Sequence, residues 1–316
     1  MLITSATQAQ NTAGPENPHP RPPARRVASE APPHSEVVIE APEPRFVAPT
    51  RRDKIGRIWA PVMINGAGPF RLVLDTGASG SGITANVAQM LGIPPDLSHS
   101  VLLRGVTGSE LVPTVRVNSF AVGDVILTPA TLPIMTDALG GAEGVLGTEG
   151  FAEKRIYIDF QRDQITITHS HAERALPGFV TLPIERSPTG LLVVRARVGG
   201  VPVQAIIDTG GQATIGNEAM RRALVRRYAK GLRSEVVDVT SESQQGESFA
   251  SPPIELGRIQ IQGTHVTYGD MHIFEHWKLT RDPVLLIGMD ALGLLDVFII
   301  DYRRHELQLR MRATRQ

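Results

Sequence analysis

The chain has 316 residues, 41% hydrophobic and 20% charged, with 32 basic residues balancing 32 acidic ones. That length gives room for two globular cores, and the even charge balance provides no net field to draw the chain to nucleic acid or an anionic membrane. Cysteine is absent, which excludes disulfides, thiolate metal sites and cysteine nucleophiles, and no apolar run approaches the roughly 18 residues that span a bilayer.

The first ten residues, MLITSATQAQ, end in small residues like the tail of a secretory signal but lack its basic and apolar segments. They lean toward an extracytoplasmic location, periplasmic or secreted. From Asn11 to about Thr50 the chain is rich in Pro, Ala, Glu, Arg and His, with Pro22-Pro23 and Pro32-Pro33. A disordered or polyproline-like leader is expected over 1–50.

From about Lys54 short alternating runs punctuated by Gly and Pro predict an all-β chain with few helices. Ile58 to Ile64 and Phe70 to Leu74 read as strands flanking a turn at Asn65 to Pro69, and the second strand runs into Asp75. A short helix is predicted at Thr84 to Leu91. After Val145-Leu146-Gly147 and the strand-like IYIDFQRDQITI, residues 171–190 read as a connector with one strand of its own.

The plan then repeats. Leu191 to Val198, a turn at Gly199 to Pro202, and Val203 to Ile207 lead into Asp208, so LVLDTGAS at Leu72 returns as AIIDTGGQ at Ala205. A helix is expected at Asn217 to Lys230, capped by Asn217 and bearing a solvated arginine face. Pro69 to Pro202 and Asp75 to Asp208 are each displaced by 133 residues, Gly147 to Gly288 by 141 and Asp159 to Asp301 by 142. The second repeat therefore carries eight or nine extra residues before Gly288, expected in surface loops. His272-Ile273-Phe274-Glu275-His276 matches the zinc-binding string H-x-x-E-H, but its alternating flanks predict a strand and a chance match. The expected units are a first lobe over 51–170, the connector over 171–190 and a second lobe over 191–316.

Each aspartate sits where a strand gives way to Thr-Gly, which presents its carboxylate at a loop apex. If the loops meet, two like charges about 3 Å apart cannot both ionise, so the pair shares one proton. The ionised member can take a proton from water while the protonated one donates to a carbonyl oxygen.

With these motifs the chain resembles the aspartic proteases of the retropepsin and pepsin superfamily, most of all the bacterial two-repeat retropepsin-like members, from about Lys54 to Arg312. The resemblance implies two homologous β-barrel lobes with a cleft between them, and endopeptidase action on an extended polypeptide without metal or cofactor. It further implies Asp75 and Asp208 as the catalytic dyad and Thr76 and Thr209 bonded across the axis. Gly77 and Gly210 would keep backbone close to the carboxylates, and Leu146-Gly147 and Ile287-Gly288 would support the loops from beneath. A flap over the substrate is expected at Leu103 to Ser109, with Gly105, Val106, Thr107 and Gly108 at its tip, and a second near Thr240 to Ser248. With both aspartates on one chain, a monomer suffices. The second loop departs from the pattern at Gly211-Gln212. Neither Ala78 nor Gly211 has a hydroxyl to aim at its aspartate, which predicts activity at mildly acidic to near-neutral pH. The alternative is a catalytically silent peptide-binding protein or scaffold of the same fold.

Overall fold

A computed structural model describes residues 46–49, 56–123, 125–136, 140–187, 190–224, 232–237, 243–269 and 271–311 of the chain. The first curled sheet runs, neighbour by neighbour, Asp96–Arg104, Ser109–Val117, Ala130–Met135, Gly82–Thr84, Gly144–Leu146, Ala67–Leu74, Trp59–Ile64, Phe120–Val122 and Val125–Leu127. The second has the same order: Leu232–Val237, Ser243–Ala250, His265–Tyr268, Ile215–Gly216, Val284–Ile287, Val201–Ile207, Leu192–Val198, Ile254–Leu256 and Ile259–Ile261. The duplication read in the motifs thus extends to every strand of these two paths, in a mostly β chain with few helices.

A third sheet joins the lobes in the order Phe46–Pro49, Gln164–His169, Lys154–Asp159, Leu295–Asp301, Glu306–Met311 and Val180–Pro183. Across its middle, Ile156 pairs with Ile300, Tyr157 with Ile299 and Ile158 with Phe298. Shifting 156, 157 and 158 by the repeat offset of 142 gives 298, 299 and 300, so equivalent residues pair reciprocally and a pseudo-twofold axis passes through Tyr157 and Ile299. Ile156, Ile158, Phe298 and Ile300 are at most 1% exposed, and burying side chains of this size contributes about 1.5–3 kcal/mol each.

Three expectations need correction here. The leader expected over 1–50 ends sooner, since Phe46–Pro49 is a strand paired with Gln164–His169. Its counterpart Val180–Pro183 pairs with Glu306–Met311, and Glu185–Arg186 is a second strand within the expected connector. Each repeat therefore opens with an outer strand of the joining sheet, a role that short Pro-ended segments such as FVAP and VTLP do not announce by periodicity. The turns are also tighter than expected: Asn65-Gly66 and Gly199-Gly200 are two-residue connections with all four φ angles positive (51, 77, 54 and 84°), as the twist of a right-handed hairpin demands.

The first helix spans Ala85–Met90. The second spans Glu218–Leu224, and the rest of its expected range, 225–230, lies outside the described residues. Asn217 caps it as expected, its Oδ1 accepting the Met220 amide at 2.9 Å. Against expectation, His272–His276 is a helix, with Ile273 and Phe274 buried. It lies where the repeats diverge. Ile83 and Gly216 are offset by 133, their partners Ile134 and Tyr268 by 134, and Leu146 and Ile287 by 141. The difference, 141 less 134, places seven extra residues between Tyr268 and strand Val284–Ile287, in the segment that forms this partly buried helix rather than in a surface loop.

Strand alternation sets the site. Ala205 and Ile207 face the main core, whereas Ile206 points the other way into a separate cluster with Val193, Leu286 and Phe274. Leu72 and Leu74 likewise face the core, and Val73 joins Val145 and Met135 on the other face. With a period of two residues, Asp75 shares the face of Val73 and Asp208 that of Ile206, so each aspartate is flanked by an apolar surface.

Candidate active site

Asp75 follows directly from strand Ala67–Leu74, and its amide donates to the Leu146 carbonyl at 3.0 Å. Asp208 follows strand Val201–Ile207, and its amide donates to the Ile287 carbonyl at 3.0 Å. Gly147 and Gly288 are glycine for want of room: a Cβ would lie 2.6 Å from the Gly80 carbonyl oxygen in one repeat and 2.6 Å from that of Ala213 in the other. The apolar-Gly segments therefore hold the aspartate loops from beneath.

Each loop turns back to solvate its own carboxylate. Gly77 and Ala78 amides reach Asp75 Oδ1 at 2.7 and 3.1 Å, and Gly210 and Gly211 amides reach Asp208 Oδ1 at 3.0 and 2.9 Å. The threonines lock the loops together. Thr76 Oγ1 donates to the Ile207 carbonyl at 2.7 Å and accepts the Thr209 amide at 3.1 Å, while Thr209 Oγ1 donates to the Leu74 carbonyl at 2.6 Å and accepts the Thr76 amide at 3.1 Å. Both threonines are at most 1% exposed, so these reciprocal bonds form without competing water.

The lock brings each glycine against the opposite carboxylate. A Cβ on Gly77 would lie 3.2 Å from Asp208 Oδ1, and one on Gly210 would collide with the Asp75 carboxyl group. Asp208 is only 6% exposed. Burial, then the charge of Asp208, pushes the Asp75 carboxyl up to about 8. Burial also raises Asp208, opposed by the Gly211 amide, a hydrogen bond from Asp75, the Gly210 amide and the Arg57 charge. The pair takes up one proton more readily than two separate carboxyls would, with Asp75 its favoured holder.

The aspartyl protease family matches this chain twice, over residues 60–149 and 194–291. The chain belongs to that family. Each match contains one Asp-Thr-Gly loop and its apolar-Gly support. No curated protein matches the chain.

In this member of the aspartyl protease family the departure at Gly211-Gln212 leaves the loop's bonding intact. Met289 donates to the Gly211 carbonyl at 2.9 Å and Asp290 to the Gln212 carbonyl at 3.0 Å; Thr148 donates to Ala78 at 3.0 Å in the first repeat. Beneath each loop lies a carboxylate that the sequence reading missed. Ser81 Oγ accepts the Gly147 amide at 3.0 Å, and the Ser81 amide donates to Glu149 Oε1 at 2.7 Å. Thr214 Oγ1 accepts the Gly288 amide at 3.2 Å, and the Thr214 amide and hydroxyl donate to the two oxygens of Asp290 at 3.0 and 2.6 Å. The signal was present: an acidic residue follows each apolar-Gly glycine by two positions.

The stretch expected as a flap lies at the end of the hairpin of Asp96–Arg104 and Ser109–Val117, closed at its tip by a Gly105 amide bond to the Gly108 carbonyl at 2.9 Å. Thr107 is 2% exposed and Gly105 and Gly108 are buried. The hairpin Leu232–Val237 and Ser243–Ala250 is its counterpart; residues 238–242, including Thr240, lie outside the described residues, so the second expected flap is seen only from Ser243 onward. The H-x-x-E-H helix presents His272 to the flap, its Nε2 lying 2.9 Å from Ser109 Oγ.

Proposed function

We propose that this protein is an aspartic endopeptidase that hydrolyses peptide bonds of an extended polypeptide. The observation that carries the reading is the pair of Asp-Thr-Gly carboxylates whose loops are locked across the pseudo-twofold axis by Thr76 and Thr209, with one carboxyl pushed up to about 8. Asp208, ionised, takes a proton from water, and the resulting hydroxide-like oxygen attacks the carbonyl carbon while Asp75 donates its proton to the carbonyl oxygen. Collapse of the tetrahedral intermediate breaks the C–N bond, the amine leaving with a proton from Asp208 and Asp75 recovering its own from the intermediate. Both carboxylates come from one chain, so a monomer suffices.

The substrate main chain would lie as an added strand beneath the flap, with alternate side chains against the apolar faces beside Val73 and Ile206. The singly protonated pair exists between the two apparent pKa values. Its alkaline limit follows Asp75, near 8, and its acid limit lies above the ordinary carboxylate range because burial raises Asp208.

The test is cleavage of a diverse peptide library. The wild type is expected to cut over a bell-shaped pH range with its alkaline limb near 8, and Asp75→Asn and Asp208→Asn should each lose activity by about 10²–10⁴-fold. Tight peptide binding with no cleavage at any pH would instead support the silent binder.

A further inference from the structure

The seven residues that the second repeat has over the first fall in the segment that builds helix His272–His276. The first-lobe flap rests on this helix. Ser109 Oγ lies 2.9 Å from His272 Nε2, and the Ile273 amide donates to the Val106 carbonyl at 3.2 Å. Val106 also packs into the apolar cluster that contains Ile273, Phe274 and Ile206, while Leu103 packs into the first-lobe cluster with Val73. The flap thus bridges both apolar faces. The helix is tied in turn to the second hairpin, its His272 amide donating to Gln244 Oε1 at 2.9 Å. Burial and the neighbouring Arg104 and His272 hold His276 below its usual range, and Arg104 is the last strand residue before the flap tip.

We infer that the inserted helix is a latch for the flap, in which His272 and Ile273 are positioning residues that hold Val106 over the site through Ser109 and the Val106 carbonyl. The equivalent stretch of the first repeat is seven residues shorter, so the latch is one-sided: the first-lobe flap docks on the second lobe. The effect on turnover rests on the endopeptidase reading. The docking does not.

Two readouts of docking are independent of cleavage: hydrogen exchange at the Ile273 and Gly105 amides, and fluorescence of Trp277, which packs on the cluster holding Val106, measured in a Trp59→Phe background. Ser109→Ala and His272→Ala are each expected to speed Ile273 exchange about five-fold, the worth of one hydrogen bond, and to shift Trp277 emission. The double variant should be no worse than either single one, because the two residues share one bond. Ser109→Ala removes one hydroxyl from a hairpin and serves alone should His272→Ala fail to fold. With a cleavable peptide, KM should rise by the same factor while kcat stays within about two-fold, because the latch acts on binding. Unchanged exchange in Ser109→Ala, or additive losses in the double variant, would overturn the latch. Absence of cleavage by the wild type would overturn the endopeptidase reading and leave exchange and fluorescence to judge the latch.

Discussion

The two aspartate loops are built on one plan, yet they differ in what lies above and below them. Beneath the second, Asp290 is bonded through both oxygens to Thr214; beneath the first, Glu149 accepts the Ser81 amide through Oε1 while Oε2 is buried without a partner. Above the second lies the inserted helix. The backbone of both loops is nevertheless bonded alike, down to the amides that Gly211 and Ala78 give their aspartates. A duplicated site can therefore keep its geometry while its two halves acquire different electrostatics, and the shared proton is where that difference concentrates.

The largest expected effect is on stability against pH. Asp75 titrates at about 8 in the folded chain against 3.8 as a free carboxyl. Between these values the folded chain keeps a proton that the unfolded chain releases, so stability is greatest in acid and falls as pH rises through the interval. Asp208, also raised by burial, adds to the same slope. Asp75→Asn should flatten most of this decline and leave the variant more stable than wild type at pH 8, by on the order of a few kcal/mol. Urea midpoints measured from pH 4 to 9 would show it; parallel curves for the two proteins would mean that folding does not raise the Asp75 carboxyl.

Much of this was legible because it was written twice. Asp75 and Asp208, their threonines and the apolar-Gly segments stood out by spacing alone, and the strand order follows from the same repeat. What was not legible depends on pairing partners far apart in sequence. FVAP and VTLP become strands through Gln164–His169 and Glu306–Met311, and nothing within four residues encodes that. The alternating flanks of HIFEH favoured a strand, but Ile273 and Phe274 bury themselves in a helix against the second-lobe cluster. Glu149 and Asp290 escaped notice because a carboxylate that bonds a loop amide looks, in sequence, like any surface acid.

Gly77 and Gly210 differ in how closely the opposite carboxylate approaches them. A Cβ at Gly210 would collide with the Asp75 carboxyl, whereas one at Gly77 would stand 3.2 Å from Asp208 Oδ1, tight but open to small adjustment. Gly210→Ala is expected to cost about 1–3 kcal/mol, lowering the thermal midpoint by several degrees and spoiling the dyad. Gly77→Ala should cost less on both counts. Equal effects from the two would show that the loops relax freely and that the asymmetry of approach is without consequence.

The smallest effect is the sharpest probe of the supports below the loops. Asp290→Asn keeps an oxygen for the Thr214 amide but makes the Thr214 hydroxyl accept from its NH2 instead of donating to a carboxylate, so bonds to a charged acceptor give way to neutral ones at a cost of about 0.5–1.5 kcal/mol. Glu149 is a different case: burial raises its carboxyl above the usual range, so its ionised form is a net burden at neutral pH. Glu149→Gln keeps an oxygen for the Ser81 amide and removes that charge. Its stability at pH 7 should stay within about 1 kcal/mol of wild type, and the balance should shift in the variant's favour as pH rises, since a carboxyl with a raised folded pKa weakens the folded state on ionising. Denaturation of both variants at pH 5 and pH 8 separates the cases. If Glu149→Gln proves as damaging as Asp290→Asn at both pH values, the first loop depends on its carboxylate charge as much as the second, and the two halves are alike beneath the aspartates after all.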